Sequence, residues 1–225
     1  LGVKQDFREA LELYRLSAEQ GYANAQYSFG MVFFDGIGGV PQNKIEAMEW
    51  FKKAAEQDYG PALIKLGQLF EQGDGVEKDV DQALTWYQRA GEINTPGAFY
   101  YLGKMYQNGA GVSKDIGQAI KYFKHGVTLG SAECQVGLGY LYEKAIGVKK
   151  NLNYAAKMYQ LAAAQGESKA KGRLGVLYEN GWGVKQDFAQ AVRWYREAAE
   201  GGDPDGQFSL GVLYYSGDGI AQDYE

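Results

Sequence analysis

The sequence predicts an all-α solenoid, a superhelix of stacked antiparallel helix pairs, and three observations lead there. A Leu/Phe-Gly pair recurs at Phe29-Gly30, Leu66-Gly67, Leu102-Gly103, Leu138-Gly139, Leu174-Gly175 and Leu210-Gly211. Its first step is 37 residues (67 − 30) and every later step is 36 (103 − 67, and so on to 211 − 175). An aromatic stands three residues after each glycine, at Phe33, Phe70, Tyr106, Tyr142, Tyr178 and Tyr214. A period in the range of ~20 to 50 residues marks stacked supersecondary units, none of which buries its apolar face alone.

The unit from Val76 to Gly111 shows how each element arises. Asp79-Val80-Asp81-Gln82 places a capping acid three residues before Gln, the pattern of a helix start. Ala83, Trp86, Tyr87 and Ala90 then follow at three- and four-residue spacing, one apolar stripe on one helix face. Gly91 to Thr95 interrupts the stripe, and Pro96 suits the first turn of a second helix carrying Ala98, Leu102, Met105 and Tyr106. Asn108-Gly109-Ala110-Gly111 ends that helix in a turn suited to left-handed backbone. Other units repeat the device, with capping acids or amides at Asp6, Asn43, Asp79, Asp115, Asn151, Asp187 and Asp223. Small residues recur too, at Ala10, Ala47, Ala83, Ala119, Ala155 and Ala191 of the first helix and at the Leu-Gly glycines of the second. Gly inside a helix costs about 1 kcal/mol against Ala. Six such glycines in register therefore predict close helix–helix crossing.

Composition excludes several function classes. With 45% hydrophobic and 23% charged residues the chain has enough apolar material for a sizeable core. A net charge of −5 argues against nucleic acid and anionic membrane surfaces, which ask for basic patches. No apolar run is long enough to span a membrane. One Cys and one His assemble neither a disulfide framework nor a zinc site, and no cofactor loop is present. Compartment stays open, since periplasmic, secreted and cytoplasmic settings all fit.

The run Ala-x-x-x-Leu-Gly-x-x-Tyr, then Gly-x-Gly-Val-x-x-Asp, then Ala-x-x-Trp-Tyr-x-x-Ala-Ala-Glu resembles the Sel1-like repeat, a relative of the tetratricopeptide repeat. The match covers nearly the whole chain, as a single solenoid with full units at 22–58, 59–94, 95–130, 131–166 and 167–202 and partial units at 1–21 and 203–225. The resemblance implies an adaptor or scaffold, as in bacterial signalling, host interaction or eukaryotic membrane-protein quality control. A subgroup of secreted bacterial members carries two cysteines per repeat, and this chain lacks them.

In the related tetratricopeptide stack the helix carrying the Leu-Gly pair lines the concave groove. Two residues before and after each Leu/Phe lie Tyr27 and Met31, Ile64 and Gln68, Tyr100 and Lys104, Val136 and Tyr140, Gly172 and Val176, Phe208 and Val212. One turn further on lie Phe34, Glu71, Gln107, Glu143, Glu179 and Tyr215. Mixed aromatic and charged residues at variable positions suit a protein or peptide interface, whereas some of these aromatics, Tyr100 and Phe208 above all, also fit an extension of the inter-repeat core. Tyr27, Met31, Phe34, Tyr100, Lys104, Tyr140, Glu143, Val176, Glu179, Trp182 and Tyr215 are the candidate contacts. Trp182 stands in a loop and reads either as a lid on its own helix pair or as a partner anchor. An alternative function, an enzyme or a binder of small molecules or cell-wall glycans, requires carboxylates such as Glu143 and Glu179 to converge across repeats.

Several residues have plainer readings. The glycine-rich turns lack the Gly-Lys-Ser/Thr of a phosphate loop, and the periodic acids fit helix capping rather than a calcium loop. His125 shares its register with Leu16, Lys53, Arg89, Leu161 and Glu197, which marks an outward position; Cys134 shares its own with Ala25, Ala62, Ala98 and Ala170, which marks a small buried thiol. Neither end looks like a polar cap. The expectation is a segment of a longer array, with terminal helices that fray or associate with other molecules, including further copies of the chain.

Overall fold

The structure, a computed structural model, describes residues 7–217, so the predicted caps at Asp6 and Asp223 lie outside the described residues. Among the described residues there are twelve α-helices and no strands: α1 Phe7–Glu19, α2 Ala23–Asp35, α3 Lys44–Glu56, α4 Gly60–Gln72, α5 Val80–Glu92, α6 Ala98–Asn108, α7 Ile116–Thr128, α8 Ala132–Lys144, α9 Leu152–Ala164, α10 Ser168–Asn180, α11 Phe188–Glu200 and α12 Pro204–Ser216. They fall into two compact units, Leu1–Ser113 and Lys114–Glu225. In the first, α1 packs on α2, α2 on α3, α3 on α4, α4 on α5 and α5 on α6. In the second the same succession runs from α7 to α12.

The helix starts are written in their caps. Asn43, Asp115, Asn151 and Asp187 each accept the backbone N–H three residues on, and Asp79 accepts those of Asp81 and Gln82. These bonds hold the Asp79 carboxyl below its ordinary value, the Gln82 amide contributing most. The reciprocal half of a capping box is absent at Asp79, because its own N–H donates to the Phe70 carbonyl at 2.9 Å and the Gln82 side chain bonds the Asp79 carboxylate instead. The same backbone tie joins Asn43 to Phe33, Asn151 to Tyr142 and Asp187 to Tyr178. Each anchors a first helix to the carbonyl of the aromatic three residues after the Leu-Gly glycine.

The inter-helix turns repeat as closely. Gly36, Gly73, Gly109, Gly181 and Gly217 cap the second helices in the left-handed region, where a missing Cβ removes the steric penalty. Ala145 fills that position after α8 at φ 57°. Two residues after the cap, Gly38, Gly75, Gly111, Gly147 and Gly183 lie against the start of the preceding first helix, as Gly75 does on Lys44 and Gly183 on the Leu152 backbone.

At Gly30, Gly67, Gly139 and Gly175 the Leu-Gly glycine is a hollow for a ring. A Cβ on Gly30 would stand 2.7 Å from Phe51 Cε1, and one on Gly139 2.9 Å from Tyr159 Cε1. Gly67 meets Tyr87 and Gly175 meets Tyr195 in the same way. The close approach expected between helices is thus chiefly glycine backbone against an aromatic side chain. Those rings are among the largest fully buried side chains, and Ala47, Ala83, Ala119, Ala155 and Ala191 are fully buried beside them. One boundary departs from expectation: α6 begins at Ala98, so Pro96 precedes the helix. Ala98 N–H bonds Thr95 O and Tyr100 N–H bonds Gly97 O, three-residue turns that tighten the entry and shorten α6 to 11 residues.

Candidate partner-binding surface

Counting positions from the Leu-Gly glycine, the candidate contacts other than Trp182 fall into three registers: three before it, one after it and four after it. The structure gives them different roles. In the first register, Tyr27 is half-buried with its ring 5.5 Å from Phe51 and 5.6 Å from Tyr59, Val136 packs against the core of the second unit, and Gly172 is buried beside the Asp203 carboxylate. Tyr100 is half-buried and meets Tyr101 edge-on at 5.3 Å. This register leans into the space between repeats.

The register four after the glycine serves the buried rings. Tyr87, Tyr159 and Tyr195 donate their hydroxyls to Glu71 at 2.8 Å, Glu143 at 2.7 Å and Glu179 at 2.5 Å. Burial, and then the carboxylate alongside, pushes all three phenols above their ordinary value of 10.0. Where the ring is Phe51, with no hydroxyl to satisfy, the same register holds Phe34, 6.3 Å away. Glu143 is buried, with Lys144 Nζ at 2.6 Å and Arg173 Nη1 at 3.9 Å from its other oxygen. Glu143 and Glu179 therefore each partner a different tyrosine, with the packing role of a hydrogen-bond acceptor.

The register one after the glycine is open: Met31, Lys104, Tyr140 and Val176 are half-buried. Facing it is a position the sequence reading passed over, two before the glycine, where Ser28, Lys65, Tyr101, Gly137, Arg173 and Ser209 stand. Lys65 Nζ lies 3.6 Å from the centre of the Phe34 ring, and burial lowers its pKa. The Arg173 guanidinium lies 5.7 Å from the Tyr140 ring. Tyr101 stacks on Tyr87, centroids 4.7 Å apart at 8°, and is hydrogen-bonded with Gln68. So the two-before register of one second helix reaches the one-after and four-after registers of the second helix before it. Its variation from Ser to Lys, Tyr, Gly and Arg was the signal available in the sequence.

The remaining candidates are exposed: Trp182 at 43%, in the loop after α10, and Tyr215 at 77%, in α12. His125 is exposed as expected, and the Cys134 thiol is fully buried, which pushes its pKa up to about 12. That thiol is a packing group. No group of three metal-ligating side chains occurs, and no helix is long and apolar enough to cross a membrane, among the described residues.

Helix pairs of fixed period, glycine hollows filled by rings and capped starts define an α-solenoid repeat protein. The Sel1 repeat family model matches residues 1–22, 23–59, 60–94, 98–131, 132–167, 168–203 and 204–225. The chain belongs to the Sel1 repeat family, whose members generally mediate protein–protein contact and are generally non-enzymatic. It is similar to a Sel1 repeat protein from Oxalobacter formigenes, at 31% identity and TM-score 0.85 over 96% of this chain and 89% of that one. It is also similar to a protective antigen of uropathogenic Escherichia coli strains, at 37% identity and TM-score 0.74 over 95% of this chain. The chain spans 46% of that antigen's length. An immunity protein of Pseudomonas aeruginosa resembles it at 25% identity and TM-score 0.67, over 85% of this chain and 70% of that one. Among curated proteins, none matches the chain.

Proposed function

We propose that this protein is a scaffold that binds a protein or peptide along the groove lined by its Leu-Gly helices, with no chemistry of its own. The observation that carries this reading is the contrast between registers. Glycine, ring and cap positions repeat almost unchanged, while the paired registers two before and one after the glycine vary and present cation–aromatic pairs such as Arg173 with Tyr140. Aromatic and arginine side chains dominate binding hot spots. Lys104, Met31 and Val176 extend the surface, Tyr27, Phe34 and Tyr100 support it from beneath, and Trp182 and Tyr215 are anchors at its margin. Glu143 and Glu179 hold the tyrosines beneath this surface and contribute through them. The names of the similar proteins, a protective antigen and an immunity protein, favour a bacterial setting.

The test is affinity capture with the wild-type chain and with the triple variant Lys65→Ala, Tyr140→Ala, Arg173→Ala. Hot-spot truncations of this kind cost ~2 kcal/mol or more each in binding, so the triple variant is expected to lose the partner while its helical circular dichroism is retained. Equal capture by both proteins would refute the surface assignment.

A further inference from the structure

Among the described residues, half-buried cations are neutralised in place, with two departures. Arg15, Lys44, Lys52, Arg89, Lys171 and Arg173 are half-buried, and each has a carboxylate oxygen within 3.9 Å. Lys65 and Lys104 are half-buried as well, and neither has an ion pair or a hydrogen-bond acceptor among the described residues. A charge drawn partly out of water without a counterion is destabilising. The Phe34 ring, 3.6 Å from Lys65 Nζ, steadies that ammonium and supplies no counter-charge.

Both lysines stand on second helices of the first compact unit, and a row of contacts runs between them. One turn on from Lys65 along α4, the Gln68 side-chain amide donates to the hydroxyl of Tyr101 on α6. One turn beyond Tyr101 is Lys104. Tyr101 is braced from beneath by stacking on buried Tyr87 at 4.7 Å. The acids near this row leave the two charges uncompensated. Glu71 accepts the Tyr87 hydroxyl, and Asp74 accepts from Lys44. Asp35 and Asp74 reach Lys65 only through longer-range attraction, which its burial outweighs, so the pKa of Lys65 is lowered. In the second unit Arg173 holds the register of Lys65, and Glu143 already faces it at 3.9 Å.

We propose that this row is the seat of an acidic peptide segment of the partner, whose carboxylates pair with Lys65 and Lys104 across α4 and α6. The inference rests on the groove reading above and names the chemistry that the groove selects. Carboxylates supply the counter-charge that the chain, with a net charge of −5, withholds at these two positions alone among its half-buried described cations. Between the ammoniums, the Gln68 side-chain carbonyl has no donor among the described residues and suits a peptide N–H, a group that a nucleic-acid backbone lacks.

The test pans a random-peptide phage library on the 225-residue chain and measures the selected peptides, synthesised with a fluorescent label, by anisotropy. Peptides selected by wild type should be enriched in Asp and Glu. The double variant Lys65→Gln, Lys104→Gln should bind them roughly tenfold more weakly or worse while its helical circular dichroism is retained. Lys65→Arg with Lys104→Arg should recover most of the affinity, and Lys157→Gln on the first helix α9 should leave it unchanged. Selected peptides without acidic enrichment, a double variant that binds like wild type, or a thymidine oligonucleotide bound more tightly than any selected peptide would each overturn the proposal. Neutral peptides whose affinity falls with Tyr140→Ala and Arg173→Ala would sink the acidic segment and leave the groove reading standing. Binding that depends on none of these side chains would sink both.

Discussion

Gly175→Ala sets two known effects against each other inside one helix. Removing a mid-helix glycine favours the helix by up to about 1 kcal/mol. Against that, the new methyl runs into three carbons of the Tyr195 ring, which is 1% exposed and tied by its hydroxyl to Glu179 at 2.5 Å. Overpacking of this kind costs about 1–3 kcal/mol. If the ring swings aside, the hydroxyl bond is lost as well, and a buried polar group left unsatisfied costs about 1–3 kcal/mol more. The net expectation is destabilisation by roughly 2 kcal/mol. Gly211→Ala is the internal control, since among the described residues a Cβ there meets nothing within 4 Å and only the propensity gain of up to about 1 kcal/mol remains. Urea unfolding should therefore place Gly175→Ala below wild type and Gly211→Ala at or above it. Equal shifts of the same sign would refute the view that these glycines exist to admit rings.

Three further outcomes are expected. Asn151→Ala removes the acceptor for the Tyr154 N–H at 2.9 Å, so it should cost about 1 kcal/mol in urea unfolding and leave partner capture at low temperature unchanged. Ala145→Gly should raise stability by about 1 kcal/mol, because Ala145 holds a left-handed conformation at φ 57° that glycine adopts without a Cβ penalty; thermal melting reads it. Folded-state pKa values of Tyr87, Tyr159 and Tyr195 lie above their ordinary 10.0, so the stability they contribute is intact below about pH 10 and is lost as pH rises through the folded values. Urea midpoints should fall on the alkaline side, and replacing all three by Phe should flatten that fall even though the wild-type chain is the more stable at neutral pH.

Most of the fold was legible in the sequence because its determinants are local and repeated. The caps at Asn43, Asp79, Asp115, Asn151 and Asp187 sit within three residues of the amides they serve, and repetition turns a weak single signal into a periodic one. What the glycines face was not legible, since Gly67 and Tyr87 meet across 20 residues (87 − 67) and nothing in either segment names the other. The pairing does leave a trace: Glu stands at 71, 143 and 179 where the ring is Tyr, and Phe34 where it is Phe51. The surface was half legible. Counting outward by two from each Leu found Tyr140 and Lys104 but skipped Lys65 and Arg173, which reach back to the previous second helix. Pro96 misled because a proline fits a tight turn before a helix as well as its first turn.

On the proposed function, partners meet the variable registers of the second helices. Photo-crosslinking from single introduced probes tests this, with probes replacing Lys65 and Arg173 on α4 and α10 and, as controls, half-buried Lys52 and exposed Lys157 on the first helices α3 and α9. A bound partner is expected to crosslink from positions 65 and 173 and not from 52 and 157. Crosslinks confined to 52 and 157 would contradict it.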